Sequence, residues 1–128
     1  MTKKQVLVID DNPDIQRLVQ IILEELEGWN VLIATSGIEG IALAMQENPD
    51  AILLDVMMPI LDGIETFKKL QENGKTQKIP TIFLTARVKV NEQEYLSSLG
   101  AKGIIVKPFN PDILAQDICN LLDWRTIN

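Results

Sequence analysis

The chain has 128 residues, with 12 Lys and Arg against 18 Asp and Glu, a net charge of −6 and a pI near 4.6. That length fits one domain, and 46% hydrophobic with 23% charged residues excludes wholesale disorder. Acidity without a basic stripe argues against direct binding to nucleic acid or anionic membrane. The absence of histidine excludes Ser-His-Asp and Cys-His catalysis and His-ligated zinc, and a single Cys119 excludes an intrachain disulfide.

Apolar runs at Val6–Ile9, Val31–Ala34, Ala51–Leu54, Ile82–Leu84 and Gly103–Val106 lack clean alternation, which suits strands buried on both faces of a parallel sheet. The first run is only four residues long and ends in acids, too short for a signal peptide or a membrane span. Helical segments lie between the runs. In the first, Ile15, Leu18, Val19, Ile22 and Leu26 recur at i, i+3, i+4, i+7 and i+11, one apolar face that stops at Gly28. Ser36 with Glu39 and Asp62 with Glu65 have the spacing of an N-cap and its third helical residue, and so do Asn91 and Glu94. Asn12-Pro13 and Asn110-Pro111 each predict a cap followed by proline at the first helical position. Gly74 and Gly100 are predicted helix stops. Five strands alternating with five helices predict a doubly wound α/β domain over residues 1–124, with 125–128 a C-terminal tail.

In such sheets ligands bind at the carboxyl ends of the strands. Asp10 and Asp11 follow the first strand, Asp55 the third, Thr85 the fourth and Lys107-Pro108 the fifth. Strand order 2-1-3-4-5 would bring the three carboxylates into one crevice, where like charges resist joint ionisation. Three acids, one lysine and one divalent cation sum to zero. Oxygen donors alone favour a hard ion, and Mg²⁺ suits a site that must also admit phosphate. The first loop, Asp10-Asp11-Asn12-Pro13-Asp14, lacks the glycines of a phosphate cradle, so phosphate would enter with a metal. Asp55 could then attack phosphorus to form an acyl phosphate, with Lys107 and Mg²⁺ opposing the charge on its oxygens. An aspartyl-nucleophile phosphatase would need Asp-x-Asp after the first strand, and Asn12 breaks that spacing.

These pieces, Asp10-Asp11, Asp55-Val56-Met57-Met58-Pro59-Ile60-Leu61-Asp62-Gly63, Thr85-Ala86 and Lys107-Pro108-Phe109, resemble the receiver domains of bacterial two-component response regulators, of the single-domain chemotaxis-regulator type. The resemblance covers nearly the whole chain and implies a flavodoxin-like fold. It implies that Asp55 accepts a phosphoryl group from a histidine kinase or phosphotransfer protein in the cytoplasm, so that the chain is a signalling phosphoacceptor and not a turnover enzyme. It further implies Mg²⁺ held by Asp11, Asp55 and the Met57 carbonyl, with Asp10 acting through water. Lys107 would pair with the phosphate across a cis bond to Pro108, and Thr85 would turn toward the new phosphate. Output would pass by protein contact through the face of the fourth helix, fifth strand and fifth helix, with no effector domain following in this sequence and dimerisation on phosphorylation left open. Ile104 stands where an aromatic is common, which removes an aromatic-flip readout. Met57 and Arg87 occupy positions that influence hydrolysis, and Met57 cannot orient water strongly, so slow dephosphorylation is expected. Two alternatives are a receiver belonging to a longer regulator and a receiver-like interaction module that does not use phosphate. Cys119, Trp29 and Trp124 are predicted to pack, and Tyr95 is the best candidate for an exposed aromatic on the fourth helix.

Overall fold

The computed structural model describes residues 3–86 and 89–124. Strands β1 (Gln5–Ile9), β2 (Asn30–Ala34), β3 (Ala51–Asp55), β4 (Thr81–Thr85) and β5 (Gly103–Val106) form one parallel sheet in the order β2-β1-β3-β4-β5. Helices α1 (Pro13–Ile21), α2 (Gly37–Glu47), α3 (Gly63–Glu72), α4 (Val90–Ser98) and α5 (Leu114–Leu122) cover both faces. The expected doubly wound architecture is therefore present. β3 and β4 are buried at every position and β1 at all but its first, which is why their sequences do not alternate.

Two cores flank the sheet. Leu7, Ile9, Leu54 and Phe83 pack with Ala44 of α2, Phe67 and Leu70 of α3 and Leu96 of α4. Phe67 and Phe83 meet edge to face at 5.4 Å, a geometry that aligns ring edge with ring face. On the other side Val6, Val8, Leu53, Ile82 and Leu84 pack with Val19, Leu23, Leu114 and Ile118. Cys119 is buried, and Trp29 and Trp124 pack against this second core, stacked edge to face at 5.5 Å with Lys4 Nζ 4.5 Å from the Trp124 ring centroid.

Short-range caps fall as the sequence predicts. Asn12 Oδ1 accepts from the Asp14 and Ile15 amides, Ser36 Oγ from the Glu39 amide, and Asp62 and Glu65 form a reciprocal capping box. Gly28, at φ +72°, closes the first helical segment. Four details differ from expectation. Ile22–Leu26 forms a π-helical segment after α1, whose wider turns bury Ile22 and Leu23 and leave Leu26 exposed, off the predicted apolar face. α4 starts at Val90 behind Lys89, with no side-chain cap, so Asn91 lies inside the first turn. The Asn110 side chain accepts from the Asp112 amide and builds a turn, and α5 begins only at Leu114. α3 ends at Asn73 in an extended conformation, and Gly74 adopts no positive φ. Gly100, at φ +104°, does end its helix as read.

Candidate functional site

The sheet order sets the site. Ile9 pairs with Leu54 and Asp55 with Leu84, so the carboxyl ends of β1, β3 and β4 lie side by side. Asp10 follows β1, while Asp55 and Thr85 are the last residues of β3 and β4 rather than the first after them. Asp10, Asp11 and Asp55 each offer a carboxylate oxygen, and these three atoms lie within 4.8 Å of one another. Asp10 and Asp55 are buried and Asp11 is exposed. Lys107 Nζ reaches 2.8 Å from Asp10 Oδ2 and 3.2 Å from Asp55 Oδ1, joining side chains 97 and 52 residues apart in sequence. The bond from Lys107 to Pro108 is cis, as the resemblance implies.

Burial raises the Asp55 carboxyl above its ordinary range, the neighbouring Asp10 charge adds to this, and Lys107 works against both. Burial alone would lower Lys107, yet its hydrogen bond and attraction to Asp10, and then Asp55, hold the ammonium above the usual lysine value. Lys107 therefore stays charged. Three carboxylates against one ammonium leave two negative charges in an all-oxygen cluster, which suits one hard divalent cation.

The β3–α3 loop builds the rim. The Met57 amide donates to Asp55 Oδ1 at 3.4 Å, and the Met57 side chain is 58% exposed. Thr85 is buried, and its carbonyl accepts from the Lys107 amide at 2.8 Å. Ile104 is half-buried against the α2–α3–α4 core. Arg87 lies outside the described residues.

Three contributors were not read from the sequence. Gly63, at the first position of α3, lies so close to β3 that a Cβ would sit 2.1 Å from the Asp55 carbonyl oxygen; its amide donates to the Val56 carbonyl at 2.9 Å. Glycine directly after the Asp62 cap was a usable signal of that close approach. Gln16 Nε2 donates to the Asp10 carbonyl at 2.6 Å and ties α1 to the site. Ile60 has φ +68° in a tight turn closed by the Leu61 amide on the Pro59 carbonyl, with its side chain 94% exposed. A β-branched residue there costs about 1–2 kcal/mol, and nothing in its identity announces the conformation.

Known proteins agree with this geometry. Residues 6–119 match the family model described as response regulator receiver domain. The chain is 37% identical over 118 residues to the DNA-binding dual master transcriptional regulator RpaA of Synechocystis, covering 92% of this chain and 48% of that protein. It spans about half the length of the first curated relatives it matches. Among solved structures it is similar to the chemotaxis response regulator CheY4 of Vibrio cholerae, at 31% identity and TM-score 0.87, covering 94% of this chain and 99% of that one. A second is the receiver domain of a sensor histidine kinase from Pseudomonas aeruginosa, with a magnesium ion coordinated in its active-site cleft, at 26% identity and TM-score 0.84 over 95% and 99% of the two chains. Among the described residues, no helix is long and apolar enough to cross a membrane. With the sheet order, the acidic cluster and the cis lysine–proline bond in place, the chain belongs to the response regulator receiver domain family.

Proposed function

We propose that residues 1–124 act as a phospho-accepting receiver in the cytoplasm, taking a phosphoryl group onto Asp55 from the phosphohistidine of a kinase or phosphotransfer protein. The observation that carries this is the convergence of three carboxylate oxygens within 4.8 Å, two of those carboxylates bridged by Lys107. Asp10, Asp11, Asp55 and the Met57 carbonyl would hold Mg²⁺, a reading supported by the similar kinase receiver domain, which has a magnesium ion coordinated in its active-site cleft. Bound there, the ion supplies positive charge against the oxygens of the incoming phosphoryl group. An Asp55 carboxylate oxygen forms the new bond to phosphorus while the phosphorus–nitrogen bond breaks and its electron pair returns to the donor imidazole. Lys107 turns from its two aspartates to the phosphoryl oxygens, keeping the ammonium at the acyl phosphate. The Thr85 hydroxyl donates to the same group, and the loop toward α4 follows. α4 suits that movement, since Leu96 is its one buried residue and Tyr95 is 49% exposed. Output then passes by protein contact through the α4–β5–α5 face, with association between copies open to control by phosphate; the expected tail, residues 125–128, lies outside the described residues.

Incubation with acetyl phosphate or phosphoramidate and Mg²⁺, followed by phosphate-affinity electrophoresis, tests the reading. A retarded band that needs both Mg²⁺ and Asp55, and is lost in Asp55→Ala, is expected. Its absence in folded protein would favour an interaction module that does not use phosphate. Slow loss of the acyl phosphate is part of the proposal, supported by the exposed side chain of Met57, two residues after Asp55, whose thioether is a poor partner for water. Met57→Asn should shorten the phosphate lifetime.

A second reading, a receiver within a longer regulator, is favoured by the relatives of twice its length. The size of the native protein on an immunoblot decides between them.

A further inference from the structure

Among the described residues sulfur is carried by Met45, Met57, Met58 and Cys119, and the fold treats the four unequally. Cys119 is buried, and burial first and the Glu27 charge second push its thiol up, away from the thiolate that oxidants attack. Met58 is 8% exposed. Met45 is 38% exposed, and its Sδ accepts from Asn73 Nδ2 at 3.7 Å. Met57, next in the chain to buried Met58, is 58% exposed and lines an open hollow of about 410 Å³ with Pro59, Asp62 and Ile64. It is also the sulfur residue tied to the acids. Its amide donates to Asp55 Oδ1, and its side chain springs from the Cα bonded to that nitrogen.

We propose that Met57 is an oxidant-sensitive site: a peroxide converts its thioether to the sulfoxide, and the sulfoxide shortens the life of the phosphate on Asp55. The inference rests on the reading of Asp55 as phosphoacceptor. In the step, a sulfur lone pair attacks one peroxide oxygen and the oxygen–oxygen bond breaks. The departing hydroxide takes the proton of the transferred oxygen and leaves as water, so sulfur loses two electrons and the peroxide gains them. A thioether accepts hydrogen bonds weakly, whereas the product is a polar side chain with an oxygen acceptor that can hold water. Both forms are neutral, so the charge of the acidic cluster is untouched, and the main-chain carbonyl assigned to Mg²⁺ is left intact.

The test treats the full chain with hydrogen peroxide in increasing doses. Peptide mass spectrometry reports which methionines have gained oxygen. After labelling with acetyl phosphate and Mg²⁺ and removal of the donor, phosphate-affinity electrophoresis follows loss of the acyl phosphate. Met57 is expected to gain oxygen ahead of Met45 and several times faster than Met58. The phosphate lifetime should fall severalfold in step with the Met57 sulfoxide, and methionine sulfoxide reductases should restore it. In Met57→Leu the lifetime, whatever its starting value, should no longer respond to peroxide, while Met45→Leu should respond as the wild type does. Met57→Gln, polar without oxidation, should show a short lifetime with and without peroxide. Earlier oxidation at Met45, Met58 or Cys119 overturns the inference. So does an unchanged lifetime once Met57 is oxidised, or a peroxide response that survives in Met57→Leu; in each case the phosphoacceptor reading stands. Failure of acetyl phosphate to label any of the proteins would strike that reading and this inference with it.

Discussion

Helices α3 and α4 lie on the same side of the sheet and are nearly equal in length, yet they are held in opposite ways. α3 begins with a reciprocal capping box, buries Gly63, Thr66, Phe67 and Leu70, and presses its first residue against the main chain of Asp55. α4 has no side-chain cap and buries Leu96 alone. Asp55, the proposed phosphoacceptor, is thus backed by a firmly held element, while the helix that follows Thr85 rests on one anchor. Fixity belongs where geometry must not vary, and weak anchoring where a local change has to become a surface change.

The largest effect that would sharpen this contrast is Phe67→Ala, which empties a core position shared with Phe83 and should cost about 3–5 kcal/mol in urea unfolding. Leu96→Ala should behave differently. Hydrogen exchange should show protection lost across 91–98 with a smaller fall in global stability, and a global loss equal to that of Phe67→Ala would break the comparison. Gly63→Ala should destabilise by about 1–3 kcal/mol and slow acetyl phosphate labelling, since its methyl group must displace the Asp55 peptide. Lys89→Asp supplies the missing cap of α4 and should stabilise the helix by about 1 kcal/mol, read as slower exchange of its first amides.

A smaller effect concerns charge. Because burial and Asp10 raise the Asp55 carboxyl, the folded state holds its proton more tightly than the unfolded chain does. That contribution favours folding at low pH and is lost as pH rises through the folded value. Asp55→Asn should therefore raise the metal-free Tm at neutral pH by on the order of a few degrees. The gain should shrink as the solution is acidified below the ordinary carboxylate range, and a constant gain at all pH values would contradict the assignment.

Much of this was legible because it is local. Val6–Ile9 and Ala51–Leu54 announce buried strands, and the Asn12, Ser36 and Asp62 caps act within three residues. The strand ends then placed Asp10, Asp11, Asp55, Thr85 and Lys107 in one cleft. What stayed hidden depends on packing. The π segment at Ile22–Leu26 has the same composition as a continuing α-helix, and only the burial of Leu23 in place of Leu26 reveals it. The start of α4 was misplaced because the structure gives it no cap to read. Ile60 hides its backbone behind a residue type that avoids positive φ.

The edge-to-face pair of Trp29 and Trp124 has an optical consequence. They are the chain's only tryptophans, and they sit at the start of β2 and just past α5, at the amino end of the sheet. A five-residue strand, roughly 16 Å long, separates that end from Asp55. Intrinsic emission should therefore follow the melting of this corner and stay silent when Mg²⁺ or phosphate reaches the acids, so one fluorophore pair reports folding free of interference from ligand.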